Sequence, residues 1–182
     1  LAQFAALNGT IIGNATAVAG SFTTVTASSV TKSGTSNVGN IGQTDNRYHT
    51  LHAKASSAQY ADLAEVYESD ASYEAGTVVH FGGEKEVSQC DIDHCRKVAG
   101  VVSTNPAYLM NGGFTAENIA VVALTGRVPT KVTGTVAKGD MMVSDGTGRA
   151  RAEADPKVGA VIGKALEASE GDAVIEVVVG KH

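Results

Sequence analysis

Three carboxylates, Asp62, Glu65 and Glu68, are interleaved with Tyr60 and Tyr67 in the stretch Gln59–Glu68. Two neighbouring acids can cleave a peptide bond when one is protonated and donates while the other is ionised and accepts. The polar loop just upstream, near Ser56-Ser57, is the substrate within reach. A three-residue separation puts Asp62 and Glu65 on one side of a helical turn, but on opposite faces of a strand. The competing assignment is a pair of surface acids, or inter-chain salt-bridge partners at a junction. It is preferred, because exposure is the rule for these residue types.

The second chemical constellation is Cys-Asp-Ile-Asp-His-Cys. Thiolates and imidazole are zinc ligands, so Cys90, His94 and Cys95 form a candidate metal loop, with Asp91 and Asp93 beside them. No second ligand pair follows downstream. A local Cys90–Cys95 disulfide fits the spacing equally well, and free thiols stay open. His49 and His52 read as polar positions on an extended strand rather than as axial metal ligands. His80 and His182 receive no role. Gly82-Gly83 and Gly112-Gly113 lack the Lys-Ser or Lys-Thr of a phosphate loop and read as turns. Ser103 has no histidine near it in sequence, so nucleophilic catalysis has no support. No cofactor is expected.

The elements that must hold these residues are strands. Gly76–Phe81, Val98–Ser103, Ile119–Leu124, Arg127–Val132, Met141–Ser144, Val158–Leu166 and Val174–Val179 are short β-branched runs. Gly- and Asp-containing turns such as Asp145–Gly148 and Gly134–Asp140 separate them, which indicates a compact β-barrel or sandwich. A helix is expected only over Tyr60–Tyr67 and, more briefly, Thr115–Asn118.

Upstream of Ser57 the chain is almost uncharged and rich in Gly, Ser, Thr, Asn and Ala. Its apolar residues, Ile12, Phe22, Val25, Val30, Ile41 and Leu51, recur too thinly to bury one another within one chain. Ordering each residue costs about 1–2 kcal/mol of backbone entropy, which so little burial does not offset. Their regular recurrence favours three chains sharing one core over a flexible linker. The expected fold class is therefore all-β: an intertwined trimeric shaft over residues 1–57, then a barrel or sandwich head over 58–182. The 182 residues carry a net charge of −5 with scattered Lys and Arg, which argues against nucleic-acid binding. No apolar run approaches the length of a membrane span. Leu1 in place of an initiator Met reads as the start of a fragment.

The segments Asn8–Asn14 and Ala19–Val25 resemble the shaft repeats of phage tail fibres and tail spikes. Ala58–Glu65, Gly76–Val79, Val98–Tyr108 and Leu124–Pro129 resemble the C-terminal heads of structural fibre proteins in tailed phages. More distantly, the chain is similar to the glutamic-peptidase-like (G2-type) chaperone domain of Bacillus-phage neck appendages. Asp62 and Glu65 match the two acids of that domain's junction, with Asp in place of the first Glu. The resemblance implies a homotrimeric structural protein of the virion that sets chain register, with other tail proteins as partners and no membrane or nucleic acid. It also implies two further activities: autocleavage near Ser56-Ser57, and contact with a host glycan or protein. For a carbohydrate-binding tip, Tyr108 in Ala107-Tyr108-Leu109 is the suggestive aromatic.

Overall fold

The computed structural model describes residues 24–30, 41, 45, 48, 49 and 61–180. The chain divides into two units, Leu1–His52 and Ala53–His182. In the first, residues 24–30 carry neither helix nor strand and are exposed. Most of the expected shaft, including Ile12, Phe22, Leu51 and His52, lies outside the described residues, as do Ser56, Ser57 and Tyr60.

The second unit is all-β among its described residues. Ten strands follow in order: β1 Asp62–Glu68, β2 Val78–Phe81, β3 Val87–Gln89, β4 Val98–Val102, β5 Tyr108–Met110, β6 Ile119–Val132, β7 Met141–Ser144, β8 Ala150–Ala152, β9 Val161–Ala165 and β10 Ala173–Val179. Neither expected helix forms. Tyr60–Tyr67 becomes β1 from Asp62 onward, because every one of its residues finds an antiparallel partner on β6. Thr115–Asn118 is an irregular approach to β6.

Five strands close into a barrel in the cyclic order β6, β10, β9, β7, β8. Along β10, Ile175, Val177 and Val179 point inward, while Val174, Glu176 and Val178 are more exposed. β6 repeats the pattern with Val128, Thr130 and Val132 inward. This period of two is what a half-buried strand requires. The barrel residues Met142, Ile162, Ala165 and Ala150 share one core with Val78, Cys90, Cys95 and Val101. A second core gathers Val79, Val87, Ala99, Val102, Ala120 and Val122, with Tyr67 and Phe81 packed against it.

The two predicted segments 119–124 and 127–132 are one strand of 14 residues. Its first half pairs with β1 and β4, and its second with β10 and β8. β6 thereby belongs to both the barrel and the smaller sheet of β1 to β5. Thr125-Gly126 does not end the strand. It is the point at which β6 changes partners, since Gly126 registers with both Asp62 and Val179.

Candidate functional site

β1 places Asp62 and Glu65 apart. Burial alternates along the strand, so Asp62, Ala64 and Val66 face inward while Leu63, Glu65 and Tyr67 face the other way. Asp62 is buried, and its Oδ2 accepts a 2.6 Å hydrogen bond from the Ser103 hydroxyl, itself buried. Asp62 and Ser103 border a cavity of about 180 Å3 shared with Thr104, Asn105, Arg127 and Glu176. Glu65 accepts instead from Tyr67 Oη at 2.8 Å. Burial, and then this bond, push the Tyr67 hydroxyl up to about 12. The Tyr67 ring meets Phe81 edge-on, with centroids 5.5 Å apart. Each acid therefore has its own partner on its own face. The strand does not bring the two carboxylates to a shared proton.

Cys90 and Cys95 are free and buried. Burial pushes the Cys90 thiol well above its ordinary range. A thiol held in that form is a poor nucleophile. The loop between the cysteines is held by Ser144 at the end of β7. Its hydroxyl donates to the Ile92 carbonyl at 2.7 Å and accepts from the Cys95 amide at 2.9 Å. The His94 amide donates to the Ser144 carbonyl at 3.0 Å, and His94 adopts φ 54°.

That turn sends the His94 ring away from the thiols. Its Nε2 lies 3.0 Å from Glu153 Oε2, and its Nδ1 lies 2.8 Å from an Arg151 terminal nitrogen. Nδ1 also lies 3.2 Å from Asp93 Oδ2. Arg151 also grips Asp93 with two bonds, at 2.8 and 3.1 Å, and Glu153 at 2.9 Å. These bonds hold the Asp93 carboxyl down to about 2 and keep Glu153 below its ordinary range. His94 thus locks the cysteine loop onto β8 and is engaged at both nitrogens, away from the metal position the sequence assigned to it.

The histidine that does meet the thiols is His80. One ligand atom each from His80, Cys90 and Cys95 lie within 4.8 Å of one another. His80 sits on β2 on the same side as Val78, which packs in the core that contains both cysteines. Sequence reading passed over it because it lies ten residues before Cys90. The available signal was the alternation Val78, His80 along a strand. Tyr108 stands on β5, which among the described residues pairs only with β1, and is 63% exposed beside the half-exposed Leu109.

Arg151→Met removes the bidentate grip on Asp93 and the bond to Glu153. We expect a small loss of stability, since the Asp93 carboxylate is more than half exposed and solvent screens the pair. A lower urea midpoint with an unchanged denaturant slope is the measurement. An unchanged midpoint would mean that the cluster does not hold the loop.

The fold defines the class as a closed five-stranded β-barrel joined to a smaller sheet through one long strand. No protein-family model and no curated protein matches the chain. Among solved structures it is similar to pre-mature bacteriophage phi29 gene product 12, with a TM-score of 0.54 and 15% identity. That likeness covers 75% of this chain and 24% of the other, so this chain matches about a quarter of that protein's length. It is also similar to the N base of the phi29 head fiber gp8.5, at a TM-score of 0.42 and 13% identity, over 64% of this chain and 92% of that one. The fold is therefore one that a bacteriophage gene product also uses. Among the described residues no helix is long and apolar enough to cross a membrane.

Proposed function

We propose that the chain is the C-terminal part of a trimeric phage fibre or appendage, a structural protein of the virion that sets the register of its three copies. The observation that carries this reading is the fold shared with gene product 12 of phi29 across three quarters of the chain. A second observation supports it from the other unit. Val25, Val30 and Ile41 are 66%, 88% and 86% exposed in the single chain. Recurring apolar residues that one chain leaves in water are what copies of that chain can cover. On this reading residues 1–57 are the end of the shaft and 58–182 form the head. Three thin apolar edges become one core only when the chains are in register. Tyr108 and Leu109, on the exposed edge strand, are the surface offered to a host glycan or protein.

Autocleavage is not part of the proposal, because Asp62 and Glu65 lie on opposite faces of β1 and are bonded to different partners. Wild type and Asp62→Asn are expected to keep the same mobility on denaturing gels over days.

Sedimentation velocity tests the assembly. A trimer is expected for the wild-type chain, and Val30→Asp combined with Ile41→Asp is expected to shift it to monomer. A monomeric wild type at micromolar concentration would overturn the proposal.

A further inference from the structure

We infer that His80, Cys90 and Cys95 form a zinc-binding site inside the head, independent of whether the chain trimerises. The geometry comes first. Zinc holds thiolate sulfur at about 2.3 Å and imidazole nitrogen at about 2.0–2.1 Å in a tetrahedral array. Such ligands lie about 3.5–3.8 Å from one another, and the three atoms here are already within 4.8 Å. The difference left to close is on the order of 1 Å.

The second observation is an unsatisfied atom. His80 Nδ1 is buried with no hydrogen-bond partner. Leaving such a group unpaired is unfavourable, because its lost hydration is not replaced. The same ring places one of its nitrogens within 4.8 Å of both thiols, so a metal ion there would give the ring a strong partner. The Cys90 thiol interacts with the Ile92 carbonyl, at a long 3.8 Å, and with the Ser144 hydroxyl and Cys95.

Charge decides the metal class. Binding Zn²⁺ displaces one proton from each thiol to solvent, and two thiolates plus a neutral imidazole around a dication leave no net charge in the core. A hard cation such as Mg²⁺ or Ca²⁺ prefers oxygen ligands and has none in this set. The loop is preorganised for the task, since Ser144 and the Arg151 cluster fix Ile92 to Cys95 before any ion arrives. A cavity of about 560 Å3 lies along the loop, with Cys95 among its lining residues.

The test uses the full chain, purified under reductant, stripped with chelator and titrated with Co²⁺ and then Zn²⁺. Co²⁺ is expected to give a thiolate charge-transfer band that Zn²⁺ abolishes at one equivalent per chain. His80→Gln and Cys95→Ser are expected to weaken Zn²⁺ by more than the roughly 10–100-fold typical of losing an outer-shell partner. His94→Gln, checked by circular dichroism, is expected to keep the band. Zinc-edge absorption on the loaded wild type needs no variant and should fit two sulfurs and one imidazole nitrogen. A wild type with no Co²⁺–thiolate band overturns the site. So does one whose cysteines are found oxidised to each other under denaturing, non-reducing conditions. Loss of the band in His94→Gln with retention in His80→Gln would overturn the ligand assignment.

Discussion

Gly126→Ala is expected to destabilise the β-rich unit by about 3–5 kcal/mol, a lowering of the melting temperature of roughly 10 °C or more. Gly126 sits in the middle of β6 at φ +111°. An L-residue there meets backbone sterics that glycine avoids, at a cost of about 1–2 kcal/mol. The larger effect is contact. A Cβ at this position would lie 2.1 Å from the Ala61 carbonyl oxygen and 2.6 Å from Asp62 Cα. Both are backbone atoms, so no side-chain rotation relieves the clash. The same carbonyl accepts from the Arg127 amide at 3.2 Å, and that bond must lengthen if Ala61 retreats. Because Gly126 registers with Asp62 on one side and Val179 on the other, the disturbance reaches both the start of β1 and the end of β10. Gly134→Ala is the control. It shares the positive φ, at +74°, but nothing lies within 4 Å of its added Cβ. Thermal melts at matched protein concentration should separate the two by several degrees. Equal losses would show that close approach contributes nothing at Gly126.

The longer barrel strands were legible because Val, Ile and Ala alternate along them and Gly punctuates them. Val128, Thr130 and Val132, or Ile175, Val177 and Val179, announce a buried face by spacing alone. Three short strands carried no such signal. Val87–Gln89, Tyr108–Met110 and Ala150–Ala152 are three residues each, too few to show a period, and they exist because neighbours supply hydrogen bonds. β1 misled for a different reason. Its inward positions are Asp62, Ala64 and Val66, so one is an acid and one is barely apolar. With Leu, Ala and Glu favouring helix locally, only the full-length pairing with β6 decides for strand. Gly126 looked like a terminator because its neighbours across the sheet are invisible in sequence.

The candidate site divides the same way. Cys90 and Cys95 were identifiable from spacing, and the loop does place both thiols in one core. Which histidine joins them was not local information. His94 is adjacent in sequence, but its positive φ turns the ring to Arg151 and Glu153. His80 is brought in by the antiparallel pairing of β2 and β3, where it registers with Ser88, two residues before Cys90. For Asp62 and Glu65 the sequence posed the right alternative, helix turn or strand. The structure supplies the strand, and each acid acquires a separate hydroxyl partner.

Met142→Ala is expected to cost the barrel about 2–5 kcal/mol, the range for deleting a long buried side chain. The chain has no Trp and few other aromatics, so its interior is filled mostly by Val and Ala. Met142 heads the fully buried side chains by volume. It stands on β7, in register with Ala152 on β8 and Gly163 on β9. Those two partners are small, so the strands flanking Met142 offer little bulk to fill the space it leaves. The β-branched valines nearby are stiff at χ1 and cannot swing into the gap. The hole therefore persists, and persistence is what places a truncation toward the upper part of the range. Met142→Leu conserves volume and should cost less than about 1.5 kcal/mol. Met141→Ala, on a half-buried neighbour, should also cost less. Urea unfolding of the three variants at one protein concentration checks the order. If Met141→Ala proves as damaging as Met142→Ala, the barrel interior is not packed around Met142, and the register of the closed five-stranded barrel is wrong.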